Sequence, residues 1–334
     1  MITTYFFIFI GLIIIMLGYI KLAERMNIID RPVSRSSHIH PTVRGGGIIF
    51  PIAAAIWFII FGWEQTYAVI GLLIISLVSF LDDLKSLSRS IRLAIHLFAI
   101  SLLFYEFGLF QYHWYLILSA LILTIGWINA FNFMDGINAI TAFYSLVLLG
   151  TFSLLNNADK LLLPFFKSSF PDHWVSFFPG GLVGALFISV LIFTFFNARK
   201  RALAFAGDIG SISMAFMQSW MMISLMVATK QAYWIVLFSV YGIDTIITII
   251  IRIKKGENIF ESHRQHLYQL LVNEKKWSHL KVSLTYGSTQ LIINLAVIYL
   301  VFTNKMNLAV CFYIIVLMTI SYILIRRRII LTLT

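Results

Sequence analysis

Charge is scarce in this chain: 12% of its 334 residues are Asp, Glu, Lys or Arg, about half the roughly 25% of an ordinary soluble domain. That shortage, beside 60% hydrophobic residues, excludes a water-soluble globular protein. Cysteine is nearly absent. The single Cys311 excludes an internal disulfide and any cysteine-based metal centre, and it reads as an inert buried thiol. Acidic residues are the rarer sign, 14 against 25 Lys and Arg, which leaves a net charge of +11. The first apolar run, residues 2–20, lacks the basic leader and small-residue cleavage site of a signal peptide, since Lys21 and Arg25 follow it. It is expected to remain as a span with its N-terminus outside. There is no internal repeat of the inverted-transporter kind and no low-complexity segment. Residues 1–334 therefore read as a single membrane-embedded domain.

What the chain has in abundance is apolar runs. Each can cross a hydrocarbon core of about 30 Å as a helix that satisfies its own backbone. Eleven segments qualify, at about 2–21, 47–62, 66–81, 92–109, 114–130, 137–155, 181–197, 210–229, 232–251, 283–302 and 308–325. The expected fold class is all-α, a polytopic integral membrane protein with about 11 (10–11) transmembrane helices. Alternating the sides puts 21 of the 25 Lys and Arg in one set of connections (21–46, 82–92, 131–136, 198–209, 252–282 and the tail), leaving Lys160, Lys167, Lys230 and Lys305 opposite. Such an excess marks a cytoplasmic face. The basic balance thus reflects topology first and anionic ligands second, and no nucleic-acid partner is implied.

Acidic residues orient membrane proteins weakly, so their own clustering is informative. Ten of the 14 lie on the basic side or in adjacent helix ends. The third run ends in FLDDLKS with Asp82, Asp83 and Lys85, and the fifth in NAFNFMDGIN with Asn129, Asn132, Asp135 and Asn138. Asn129, Asn132 and Asp135 recur every three residues, which stacks them roughly along one side of a helix. The eighth run opens with FAGDIGS, which places Asp208 between two glycines. Any one of these carboxylates taken alone reads equally well as a solvated group or a helix cap. Four from three separate segments would repel one another unless a cation neutralised them. Oxygen ligands without cysteine select a hard ion, Mg2+ where phosphate oxygens complete the octahedron, with Mn2+ as the alternative.

Basic and glycine-rich pieces complement this set. SRSSHIHPTVRGGG offers Arg35, His38, His40 and Arg44 beside Gly45, Gly46 and Gly47. Consecutive glycines either present amides to an anion or pack helices closely. ESHRQHLYQLL carries His263, Arg264 and His266 ahead of Leu267, Leu270 and Leu271, a pattern for an interfacial amphipathic helix. Phosphate binding by Arg264 and His266 fits better than zinc, since no HExxH or third strong ligand accompanies the histidines. Asp244 lies inside the ninth run, where an ionisable group is costly. It reads either as coupled to the site or as paired with a base on a neighbouring helix. The 156–180 segment, with five phenylalanines and Trp174, reads as an interfacial or re-entrant hairpin.

PTVRGGG, FLDDLKS, NAFNFMDGINA, FAGDIGS and YGIDTIITIIIRIKKGENIFESHRQH, in this order, resemble the polyprenyl-phosphate N-acetylhexosamine-1-phosphate transferases, relatives of the phospho-N-acetylmuramoyl-pentapeptide transferases. The resemblance implies transfer of a sugar 1-phosphate from a UDP-sugar to undecaprenyl phosphate with Mg2+, releasing UMP at the cytoplasmic face of a bacterial inner membrane. It implies Asp208 and Asp82 at the metal, Asp82, Asp83, Asp135 and His266 as catalytic residues, and Asn132 beside Asp135 near the nucleotide. Lys85, Asn129, Asn138, Arg44, His263 and Arg264 would complete substrate binding. The chain departs from the family's His-x-His-His, having His266-Leu267-Tyr268-Gln269. That variant resembles the branch initiating O-antigen and capsule, often with 6-deoxy-N-acetylhexosamines. A homodimer is left open. The competing reading is a secondary transporter, for which acidic groups near the midplane and broken helices in matched halves are expected. CDP-alcohol phosphotransferases also use Asp-Gly in a membrane helix, but Asn138-Ala139 stands where they have Ala-Arg.

Overall fold

The computed structural model describes residues 2–32, 37, 38, 40–166, 174, 176–259, 261 and 263–332. Arg35, Lys167 and the 167–173 and 175 portion of the phenylalanine-rich segment lie outside these residues. Thirteen helices follow in chain order: α1 (Ile2–Arg25), α2 (Ile49–Phe61), α3 (Thr66–Leu84), α4 (Arg89–Glu106), α5 (Trp114–Met134), α6 (Ile140–Asn156), α7 (Ala158–Leu161), α8 (Gly180–Asn197), α9 (Gly207–Thr229), α10 (Ser239–Lys254), α11 (Leu267–Asn273), α12 (His279–Phe302) and α13 (Leu308–Leu331). Strands β1 (Ile29–Asp30) and β2 (Thr42–Val43) pair antiparallel.

The protein is an all-α, polytopic membrane protein. Among the described residues, eight helices are long and apolar enough to cross a bilayer, and Gly46–Phe61 and Ile140–Asn156 are shorter apolar ones. Each of the eleven segments read from hydropathy falls on a helix, the fourth of them on α4. The ninth is composite, a 3-10 stretch Ala232–Phe238 that runs into α10.

Lipid is as apolar as a leucine side chain, so membrane helices associate through close packing and internal hydrogen bonds rather than through water exclusion. The central helix α9 is built for this, reading GDIGSISMAFMQSWMM in its first four turns with 78% of its apolar window buried, against 11% for α13. Around it lie α2, α3, α5 and α6. One run of polar side chains inside the bundle is paired in series: Tyr144 donates to Gln290 Oε1 at 2.6 Å, Gln290 to Asn294 at 2.7 Å, and Asn294 to Thr151 at 2.9 Å. These bonds join α6 to α12 where water is scarce.

The glycine run resolves into packing. A methyl group on Gly47 would sit 2.2 Å from the Cα of Gly210, and one on Gly46 would sit 2.8 Å from the Cβ of Ala204. The amides of Gly46 and Gly47 donate to the carbonyls of Phe205 and Ala206 at 2.7 and 3.0 Å. Phe205 N donates to Val43 O at 2.8 Å, and Arg44 N to Ile28 O at 3.1 Å. Residues 42–47 are therefore clamped between two backbone neighbours. The amides of Gly46 and Gly47 are engaged there rather than offered to an anion.

Candidate active site

The C-terminal ends of α3, α5 and α8 meet the N-terminal ends of α9 and α12 on one side of the bundle, around a cavity of about 340 Å3. Its walls include Asn132, Asp135, Asn138, Asn197, Asp208 and Arg44. His38, His263, Gln269 and His279 also border it.

Asp83 organises the floor. Its carboxylate is shielded from solvent; Oδ1 accepts from Arg44 Nε at 2.7 Å and from Asp208 N at 2.9 Å, and Oδ2 accepts from Ile209 N at 3.0 Å. The last two donors are first-turn amides of α9, otherwise unpaired and at the positive end of the helix dipole, where a carboxylate is favoured. Gly207 makes the approach possible. Its φ is +72°, and a Cβ there would stand 2.6 Å from Asp83 Oδ2, so a side chain is excluded by both conformation and space. Arg44 is fixed from behind, since Tyr19 Oη donates to its carbonyl at 2.6 Å.

Asp82, one residue earlier, accepts from Leu87 N at 2.6 Å and from Arg92 Nη1 at 2.8 Å, which ties α3 to the start of α4. Its carboxylate is also within hydrogen-bonding reach of Asp208. Asp208 Oδ1 in turn accepts from Asn132 Nδ2 at 3.1 Å, and Arg44 Nη2 lies 3.8 Å away. Two carboxylates this close require a shared proton or a cation. Among the described residues no group of three His, Cys, Asp or Glu forms a ready-made metal cage. The donor set is Asp208, open to the cavity, with Asp82 behind it, which fits Mg2+ held by one or two protein carboxylates and completed by phosphate oxygens.

Asp135 caps the end of α5, and the turn after it is pinned at several points. Thr141 Oγ1 donates to Asp135 Oδ1. Ala139 N donates to Asn197 Oδ1 at 2.6 Å, and Asn138 N to His279 Nδ1 at 3.3 Å. The side chain of Asn138 is spent on Arg199 O at 2.7 Å. Burial pushes the Asp135 carboxyl up to about 7; Thr141 opposes the shift, Asp208 and Asp83 reinforce it, and Arg44 offsets it. His263, on the opposite wall, is pushed down to about 4 by burial, with His266 and Arg252 adding to the effect. It is a neutral hydrogen-bonding group at pH 7, not a cation for phosphate.

Of the residues singled out from the sequence, the cavity brings together Arg44, Asn132, Asp135, Asn138, Asp208 and His263 on its surface, with Asp83 and Asp82 behind them. Lys85 is exposed at the end of α3, away from the cavity. Asn129 faces outward and donates to Ile125 O on its own helix at 2.8 Å. A three-residue repeat precesses by about 60° per step around a helix, so Asn129 has rotated away from Asp135. Arg264 is exposed in a neighbouring depression with Arg252, Glu257 and Glu261. His266 lies behind the wall, buried, with Nδ1 3.2 Å from Asp244. Asn197, Gln269, His279 and Thr141 were not foreseen. Only Asn197 carried a usable signal, since it closes an apolar run, FTFFN, as Asn132 closes another.

Residues 65–226 match the profile described as glycosyl transferase family 4. That span contains Asp82, Asp83, Asn132, Asp135, Asn138 and Asp208 but not Arg44 or the 263–269 wall. Among curated relatives, the phospho-N-acetylmuramoyl-pentapeptide-transferase of Halalkalibacterium halodurans is 26% identical over 243 residues, 72% of this chain and 65% of that protein. The same-named protein of Oceanobacillus iheyensis is 27% identical over 195 residues, 57% of this chain and 53% of that protein. The alignments thus span between about half and two thirds of the relatives' lengths.

Proposed function

From the match of residues 65–226 to glycosyl transferase family 4, we propose that the protein transfers a sugar 1-phosphate from a UDP-sugar to undecaprenyl phosphate, releasing UMP. The sugar is an N-acetylhexosamine or its 6-deoxy form, and the product is the lipid-linked pyrophosphoryl sugar that begins a cell-surface polysaccharide. The reaction is placed at the cytoplasmic face of a bacterial inner membrane. One observation carries the reading: carboxylates from the ends of α5 and α9 line a single cavity with Arg44, and Asp83 of α3 stands directly behind it, bonded to Arg44 and the start of α9.

Attack on a sugar-linked phosphorus brings two anions together, so catalysis is mostly positioning and charge neutralisation. Bound Mg2+ would supply the neutralising charge, held by Asp208 and Asp82. Arg44, reaching toward Asp208 from its bond to Asp83, adds a fixed positive charge beside the phosphates. Asn132 orients Asp208 from α5. The acceptor needs little help to ionise, because a phosphate monoester has its second pKa near about 6. Asp83 already accepts three hydrogen bonds, so service as a nucleophile would require α9 to lose its cap. These bonds favour direct in-line displacement over an aspartyl-phosphate.

The pH behaviour follows from Asp135. Its carboxyl is raised to about 7 in the folded protein, so protons compete with any cation at the cavity below that pH. The Mg2+ concentration giving half-maximal activity is expected to fall as pH rises from 6 to 8, and Asp135→Asn should flatten that dependence. The linked stability has the opposite slope. A raised carboxyl contributes stability at low pH that is lost as pH passes through about 7, so the Mg2+-free protein should melt lower at pH 8 than at pH 6. Titrating Mg2+ at several pH values with UMP release as readout checks the first part, and thermal melts in chelator check the second.

The function itself is tested by incubating the purified protein with a panel of UDP-N-acetylhexosamines, undecaprenyl phosphate and Mg2+. UMP release coupled to lipid-linked sugar supports the reading. Silence across the panel, with a positive-control enzyme active, overturns it.

A further inference from the structure

Asp244 sits wholly inside the bundle on α10 and does not line the cavity, yet it collects five donors. Tyr286 Oη donates to it at 2.6 Å, Tyr322 Oη at 2.9 Å, Leu267 N at 3.1 Å, His266 Nδ1 at 3.2 Å and Thr248 Oγ1 at 3.3 Å. Besides Thr248 on its own helix, these come from α12, α13, the first amide of α11 and the residue before α11. A buried carboxylate is tolerated only while such donors stay in place, so it locks those elements to one another. Arg326 of α13 extends the lock, donating to Gln265 O, Tyr322 Oη and Thr248 Oγ1.

The locked segment is a wall of the cavity. Gln269 lines it and accepts from His266 N at 3.2 Å in a capping box at the start of α11, and His263 lies three residues upstream of His266. Tyr268, between them, donates from Oη to Phe133 O at 3.0 Å and lies so close to Gly136 that a Cβ there would meet that oxygen at 2.1 Å. A chain of contacts thus runs from Asp244 through His266 and Leu267 to Tyr268, and from there to the Asp135-Gly136 turn. The Nε2 of His266 is buried with no protein partner among the described residues, so Asp244 supplies the hold on that ring.

We propose that Asp244 is a positioning residue for the active site, setting the 263–269 wall and the Asp135-Gly136 turn through His266 and the α11 amide, with α13 contributing Tyr322 and Arg326 to the same lock. Its kinetic consequence rests on the transfer reading; its structural consequence does not. Two readouts test it in the purified full chain. One is the maleimide labelling rate of a cysteine introduced by Leu267→Cys, at a buried position of the wall, in a Cys311→Ser background, and the other is KM against kcat for the UDP-sugar in the native-cysteine protein. Asp244→Asn keeps the shape but turns an amide N–H toward donors. It is expected to raise the labelling rate about tenfold as the wall opens more often, and to raise the donor KM while lowering kcat, about tenfold in kcat/KM. Tyr322→Phe removes one donor, leaves the carboxylate, and should move both readouts in the same direction by about threefold. It carries the test if Asp244→Asn does not fold. Unchanged labelling and unchanged donor KM in whichever variants fold overturn the proposal, even if the melting temperature falls. If the wild type releases no UMP from any donor, the transfer reading fails and the labelling rate alone decides this one.

Discussion

Asp208→Asn is expected to lower turnover by about 10³-fold or more while leaving the protein folded. The side chain is partly open to the cavity, and its Oδ1 accepts from Asn132 at 3.1 Å, a bond that asparagine can reproduce through its own carbonyl oxygen. Size and shape are conserved. What disappears is the negative charge, and with it both the repulsion against Asp82 and the affinity for a divalent ion. The melting temperature in chelator should therefore hold or rise slightly, since a like-charge contact has been relieved. UMP release and thermal melts on the same preparation make the comparison. Near-normal turnover would show that Asp208 only completes the start of α9 and takes no part in transfer.

Asp83→Asn should fail differently, losing stability as well as activity. The carboxylate holds Arg44 and two α9 amides with no access to solvent, whereas asparagine presents an N–H to one of three donors. Removing one partner of a buried ion pair costs about 3–5 kcal/mol. With the Arg44 side chain 36% exposed, a value near the bottom of that range, about 3 kcal/mol, is expected because solvent screens the remaining charge. Arg44 and the start of α9 then lose their common anchor, and turnover should fall by about 10²-fold or more. Unfolding monitored by intrinsic tryptophan fluorescence measures the first effect and UMP release the second. A wild-type melting temperature in Asp83→Asn would remove Asp83 from its place as organiser of the floor.

The contrast between these neighbouring predictions indicates what the sequence could and could not disclose. Hydropathy located the apolar helices because the bilayer imposes a length and polarity that no packing detail can override. Clustered acidic residues at their ends put Asp83, Asp135 and Asp208 on one face, and in the structure Asp135 and Asp208 line one cavity with Asp83 buried behind it, bonded to the first amides of α9. The division of labour among them was not readable. FLDD gives no indication that Asp82 turns to Arg92 while Asp83 turns to α9, since that depends on which helix packs against each face. Asn129 misled because a three-residue spacing imitates the helical repeat for only a step or two. His266 misled in another way: a histidine beside basic residues looks like a phosphate ligand until Asp244, 22 positions earlier, is seen to hold it. Asn197 and His279 act through backbone groups of distant turns, contacts that exist only once the bundle has formed, whereas Gln269 bonds the amide of His266 within its own helix start and reaches the cavity only because α11 is placed beside it.

The encasement of α9 also divides the site into a fixed half and an adjustable one. Asp208 rides on a helix gripped on several sides, with Gly210 in backbone contact with Gly47. On the proposed transfer, accommodation of donors of different bulk therefore falls to residues that border the cavity away from α9, such as His38 and His263, while Asp208 stays put. On that same proposal, selectivity for the sugar can drift by exchange of rim residues without disturbing the carboxylates.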